Sequence, residues 1–414
     1  MINKISFKNY KLFKEKQTLE LKPITILIGK NNSGKSAVLK LMTLIEGALN
    51  GKSDKVFELS NDGVIAGNEY KDLIYGKFSR SLEIELFQYY EKLNKTDFLK
   101  IDIAVDSDKN IPILENWVLN TQDLEGTKSE LLNLQRFDDS TYVNEIDGVE
   151  YLCSFEGIYL TNYFYKDKPD SSGTIYQQPF FLTDFISAIR EKTKLDYRLN
   201  SVNEKSNPDG KFLYDFLIRD YLTTDKLYFT KISNWIFEKF EGWNLYVDVD
   251  SEPYHIELRK GKLDIDITET GMGIGQSLPL ITRAYKKCDN KTLIIIEEPE
   301  SHLHPYAHSQ LAQLFAESVK DDKNKKYLIE THSQNFVLRL RRIIAEGNMK
   351  ASDLGIYYVD FDEEKNESTM KQINVDDCGG VDWWPEGIFG ETNIETKAIY
   401  KAQINDLRNV DRDK

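Results

Sequence analysis

Lys35 and Ser36 directly follow Gly34 in the run Gly29 to Ser36, GKNNSGKS, and that order of residue types suits the capture of a polyphosphate. Glycines and small polar residues let a loop curl until successive backbone N–H groups converge on one anion. A lysine placed there reaches the β- and γ-phosphates, and the neighbouring hydroxyl takes a place on Mg²⁺. Gly29, Asn31, Asn32, Ser33, Gly34, Lys35, Ser36 and Ala37 are therefore the expected nucleotide-binding residues, with ATP and Mg²⁺ as ligands. A ligand-free glycine turn would explain the bend. It would not explain why a lysine and a hydroxyl come next.

A second set lies far downstream. Glu297 and Glu298 end the apolar run Leu293 to Ile296, and His332 ends the next one, in KYLIETHS. A carboxylate at such a strand end orients Mg²⁺ while its neighbour polarises the attacking water. The expected metal residues are Ser36 and Glu297; the expected catalytic residues are Glu298 as base, Lys35, and His332 at the γ-phosphate. The bland reading is a solvated strand edge, but here the pair emerges from a wholly apolar run. Gly271, Gly273, Gly275 and Gln276 open another helix, a second helix-start anion site. One chain seldom wraps a single triphosphate with two distant helix starts. The economical geometry is a homodimer, head to tail, in which the glycine run of one copy closes the nucleotide of the other.

These residues need strands that end together. Ile24, Ile26, Leu27 and Ile28 read as a buried parallel strand, AVLKLMTLIEGAL as the helix after the loop, and ISFKNY and QTLELK as an antiparallel lead-in. Functional residues at the carboxyl ends of apolar strands describe a doubly wound α/β sheet with its ligand along one rim. The expected divisions are a first lobe over 1–106, a mainly helical insertion over 107–235, a second lobe over 236–360 and a C-terminal element over 361–414. In the insertion FLTDFISAIREKT, KFLYDFLIRDYL and KISNWIFEKFE read as helices.

The 414 residues exceed one ordinary domain, and a net charge of -14 argues against a constitutive nucleic-acid binder. Two basic groups, Lys4, Lys8, Lys11, Lys14, Lys16 and Lys22, and Arg339, Arg341 and Arg342, read as solvated surface. Cys153, Cys288 and Cys378 form no C-x-x-C pair, which fits a reducing cytoplasm. No signal peptide or membrane span is expected.

The order of phosphate loop, glycine run, EEPESHLHP and ETHS resembles the ABC-type ATPase heads of the SMC, RecF and overcoming-lysogenisation-defect group. That resemblance implies an ABC-type P-loop NTPase head, a mixed, largely parallel sheet with flanking helices. It makes Lys35 and Ser36 the Walker A residues, Glu297 the Walker B carboxylate, Glu298 the catalytic glutamate, Ser301 to His304 the D-loop, His332 the switch histidine and Gly271 to Gln276 the signature. No Q-loop glutamine is evident, and Asp72 lies where that loop would fall. The segment VDWWPEGIF is similar to the tail of a bacterial subfamily with a WPEGFF-type element, and Trp383 and Trp384 read as a hydrophobic latch. Similar chains include ATPase subunits of anti-phage systems such as Septu, which work beside a separate nuclease.

Two rival readings stay open. One is a single-chain nuclease using acidic residues of the insertion, Asp167, Asp170, Asp184 and Asp196; the other is a nucleotide sensor without turnover. His302, His304, His308 and His332 crowd into a short span, but they read more simply as loop and dimer contacts than as a zinc site.

Overall fold

The computed structural model describes residues 1–51, 55–77, 81–90, 95–106, 111–122, 128–173, 177–199, 202–250, 252–390 and 395–403. The strand Ile24–Gly29 is buried along its whole length. Side chains alternate across a strand, so Ile24, Ile26 and Ile28 join one core and Leu27 the other. Such a strand belongs in the middle of a covered sheet. It lies there, in the order Leu182–Ile186, Thr292–Glu297, Lys325–Glu330, Ile24–Gly29, Leu354–Asp362 and Glu367–Ile373. The first five strands are parallel and the last turns back antiparallel.

The helix Lys35–Leu49 is held between two sheets. Its Leu41 and Ile45 share a core with Leu293 and Ile295 of the parallel sheet and with Ile84, Ile101 and Trp117 of a ten-stranded sheet. Among the described residues the neighbouring strands of that larger sheet, from Lys4–Lys8 through Leu82–Tyr90 and Lys95–Asp106, pair antiparallel. The other face of the parallel sheet carries the helices Met272–Tyr285, Pro305–Asp321 and Gln334–Ala345. A three-stranded sheet, Asn244–Asp248, His255–Lys260 and Leu263–Asp266, packs beside the helix Leu227–Lys239.

The segment 107–235 departs from the expected mainly helical insertion. Ile111–Gln122, Lys128–Arg136, Thr141–Asn144, Val149–Glu156, Tyr159–Tyr165 and Lys168–Ser172 are strands that continue the large antiparallel sheet. Position 106 is thus the end of a strand whose partner is the next strand, Ile111–Gln122, and marks no change of layer. FLTDFIS, expected in a helix, supplies the strand Leu182–Ile186 beside Thr292–Glu297. The cause is tertiary. A run this short fits either period, and pairing with a strand more than a hundred residues away decides it. Two helices follow, Lys211–Leu222 and Leu227–Lys239, the second running past 235. Residues 404–414 of the expected C-terminal element lie outside the described residues. Among the described residues no helix is long and apolar enough to cross a membrane.

Candidate functional site

The phosphate loop leaves no room for larger residues at its glycines. A Cβ on Gly29, where φ is 153°, would sit 2.2 Å from the Val359 carbonyl oxygen, and one on Gly34, where φ is 102°, 3.0 Å from the Phe13 ring. Gly34 is the N-cap of the helix Lys35–Leu49 and offers no side-chain cap, so the first-turn N–H groups stay available to an anion. Ser33 Oγ is buried without a hydrogen-bond partner. A cradle that only glycine permits, uncapped N–H donors and an orphaned hydroxyl fit a phosphate chain.

Lys35 is buried and folded back on its own loop, donating to the Gly29 carbonyl at 3.1 Å and to Lys30 at 2.7 Å. Burial pushes its ammonium below the usual lysine range, opposed by Glu330 and Glu298. Ser36 donates to Glu330 Oε2 at 2.6 Å, and Lys35 Nζ stands 3.7 Å from Glu330 Oε1. Burial in turn raises the Glu330 carboxyl, and the Ser36 hydroxyl and Lys35 hold it down. A cavity of about 660 Å³ opens over these groups, lined also by Tyr10, Lys11, Asn31, Asn32, Ala37, Lys40, Glu298 and His332.

Strand ends supply the acidic side. Thr292–Glu297 and Lys325–Glu330 run in register, so Glu297 and Glu330 are neighbours, and the chain then turns at Glu298 with a left-handed backbone, φ 40°. The Glu298 side chain accepts a hydrogen bond from Ser301 Oγ at 2.8 Å. His332 Nε2 lies 4.0 Å from both Glu298 and Glu330, and burial followed by Lys35 lowers the imidazole pKa. One ligand atom each from Glu298, Glu330 and His332 falls within 4.8 Å of the others, the one such group among the described residues. With Ser36 added, the carboxylate and hydroxyl oxygens of this group fit a hard cation such as Mg²⁺.

The structure therefore joins Lys35, Ser36, Glu298 and His332 in one cavity. Glu297 stands one strand over from Glu330, and its Oε2 accepts from the Ala188 N–H at 3.4 Å. Burial and then Glu330 raise its carboxyl pKa. The carboxylate that meets Ser36 is Glu330. A glutamate two residues before a histidine reads as strand filler until its neighbour is known, so the sequence alone does not single it out. Glu300 is not singled out either. It is buried, accepts from the His332 N–H at 2.5 Å, and burial pushes its carboxyl up to about 7.

The glycine run lies elsewhere, exposed at Gly271 and buried at Gly275 and Gln276. Gly271 caps the helix Met272–Tyr285 with open space around it, and a Cβ on Gly273 would sit 3.5 Å from the Leu303 side chain. None of Gly271, Gly273, Gly275 or Gln276 lines the phosphate cavity. Gly275 and Gln276 instead hold the segment after the strand Leu182–Ile186: a Cβ on Gly275 would meet Thr193, and Gln276 donates to the Glu191 carbonyl at 3.4 Å. The same segment carries Arg190, buried, whose guanidinium reaches the carbonyls of Glu298 at 3.4 Å and Ser301 at 3.5 Å. Burial lowers its pKa to about 10. Residues 187–193 thus strap the glycine run to the glutamate loop, a link hidden by the helical reading of FLTDFISAIREKT. Asp72, where the Q-loop is expected, caps a short 3₁₀ turn, accepting from the Asn68 and Glu69 N–H groups and from Lys77, and does not line the phosphate cavity.

Other expected features are tied up locally. Asp184 is buried against Arg283 at 2.5 Å, Asp196 is near His255, and Asp167 and Asp170 are exposed, so these four form no centre. His304 caps the helix Pro305–Asp321 and His308 bonds Ser333 and Leu303. Trp383 donates to the Gln372 carbonyl, and Trp384 to Ile388 beside Val337 and Leu338 of the helix Gln334–Ala345.

The profile of the AAA ATPase domain family matches residues 1–337, and that of a family described as a protein of unknown function, DUF3696, matches residues 349–399. Solved structures similar to the chain include an SMC head bound to the C-terminal winged-helix domain of ScpA, with 14% identity over 90% of this chain and 97% of that one and a TM-score of 0.47. The SMC head domain from Thermotoga maritima is 14% identical over 90% and 99%, with a TM-score of 0.41. The Pyrococcus furiosus SMC head with an extended coiled coil, also bound to a ScpA domain, is 14% identical over 90% and 96%, with a TM-score of 0.45. No curated protein matches.

Proposed function

Because the chain belongs to the AAA ATPase domain family, we propose that it binds and hydrolyses ATP in the cavity above Lys35, and that two copies close head to tail to do so. The observation that carries this reading is the convergence of Ser36, Lys35, Glu298, Glu330 and His332 on one cavity, while the exposed helix start at Gly271 stays outside it.

The residues divide the work. Lys35 leaves the carbonyls of Gly29 and Lys30 and turns to the phosphates, which the uncapped N–H groups of the helix Lys35–Leu49 also hold. Ser36 and Glu330 offer the oxygens for a cation, with Glu297 behind them. Mg²⁺ held there would offset the charge that develops on the phosphate oxygens. Glu298 takes the proton of the attacking water, and His332 faces the terminal phosphate. The glycine run of the second copy seals the other side.

Closure, in this reading, gates a separate effector, a nuclease, in a cytoplasmic anti-phage or DNA-surveillance role, and the ATP cavity itself meets nucleic acid only indirectly. The motif order supports it, as does the scatter of Asp167, Asp170, Asp184 and Asp196, which leaves the chain without a blade of its own there. Sedimentation with ATP tests the core of it: Glu298→Gln should accumulate a dimer that Lys35→Ala cannot form. Equal dimerisation of the two variants would sink it.

A further inference from the structure

The chain is strongly acidic, yet one region of its surface collects lysines around a recess. At the amino ends of the parallel strands a cavity of about 680 Å³ is lined by Lys22, Lys291, Lys323, Lys326, Tyr89 and Tyr90, and by no carboxylate. A second cavity, about 380 Å³, shares Lys323, Lys326 and Pro23 with the first and adds Lys320 and Lys350. Asp353 is the one carboxylate lining either. Lys291, Lys320, Lys323 and Lys350 form no ion pair among the described residues, whereas Lys22 is held by Glu20 at 3.1 Å and Lys326 by the Leu21 carbonyl at 2.6 Å. The Met1 amine, in the same recess, is pushed down to about 6 by burial and then by Lys291 and Lys326.

This recess is not the ATP cavity. Thr292 and Lys325 begin the strands whose other ends carry Glu297 and Glu330, which puts about 17 Å of strand between the two. Unpaired lysines along two adjoining cavities form a track for successive negative charges, and Tyr89, 42% exposed, presents a ring at one end. A basic groove with an aromatic platform is how single strands are held without sequence preference, the backbone on the charges and a base on the ring. We propose that the Lys291–Lys323–Lys350 track binds single-stranded nucleic acid, with phosphates on the lysines and a base against Tyr89.

The test is fluorescence anisotropy of an end-labelled thymidine oligonucleotide of about 15 residues, titrated with the full chain carrying Lys35→Ala so that the phosphate loop does not report. Three to four single-strand phosphate contacts predict binding that weakens about twenty- to fiftyfold between about 50 and 200 mM salt. The triple charge reversal Lys291→Glu, Lys323→Glu, Lys350→Glu should lose at least about tenfold in affinity and flatten that salt dependence. In the otherwise native chain it should leave ATP affinity and the thermal midpoint where they were. If its midpoint falls, the milder Lys291→Gln and Lys323→Gln single variants decide by a smaller loss in the same direction, each with a flatter salt dependence. An unchanged oligonucleotide affinity in these variants overturns the proposal. So does binding of inorganic tripolyphosphate or polyglutamate at the lysines with none of the oligonucleotide.

Discussion

Ser36 Oγ donates to Glu330 Oε2 at 2.6 Å, which ties the start of the phosphate-loop helix to the end of a strand nearly three hundred residues away. The same carboxylate faces Lys35, so both residues that must greet a nucleotide are engaged by one acid beforehand. Glu330→Gln keeps the shape and removes the charge. Turnover should fall at least about tenfold, and half-maximal activity should need more Mg²⁺; phosphate release measured against Mg²⁺ concentration checks both. A variant with native turnover and native Mg²⁺ demand would reduce Glu330 to a structural partner.

Glu298→Gln separates binding from chemistry. A positioned base contributes about 10²- to 10⁴-fold, so turnover should drop by that order while a fluorescent ATP analogue still binds. Loss of both would mean that Glu298 shapes the cavity and does not act on water.

Arg190 is the buried strap between the glutamate loop and the segment gripped by Gln276. Arg190→Met leaves the Glu298 and Ser301 carbonyls without that donor, at about 1–3 kcal/mol. Urea unfolding should show that loss, and ATP-dependent dimerisation should weaken by more than the stability change accounts for. Stability loss with native dimerisation would confine Arg190 to packing.

Lys325 gives a pH signature. Burial, then Arg283, lowers its pKa from 10.5 to about 8, although it donates to Ala284 and Ser318. The folded state binds its proton less tightly than the unfolded chain, so stability rises with pH between about 8 and 10.5 and is lost as pH falls through that window. Relative to Lys325→Met, the wild type should gain about 3 kcal/mol across it. Parallel stability curves for the two would contradict this.

Much of the site could be read from residue order because it is local. A phosphate loop is eight consecutive residues, and two glutamates after four apolar residues announce a strand end. What escaped reading depends on partners distant in sequence. Glu330 matters because Ile24–Gly29 and Thr292–Glu297 flank its strand, and Arg190 because Leu182–Ile186 joins the sheet at all. The strands between 111 and 172 are hidden for a related reason: their pairing is broken by bulges that skip Glu115, Leu131 and Thr161.

The place of Ile24–Gly29 between Lys325–Glu330 and Leu354–Asp362 has a consequence during synthesis. The segment Ile24–Gly29 is made roughly three hundred residues before the strands that flank it emerge from the ribosome. Until then Ile24, Ile26 and Leu27 are exposed edge, prone to wrong pairing. Nascent chains shortened before residue 354 should therefore occupy chaperones rather than bind nucleotide.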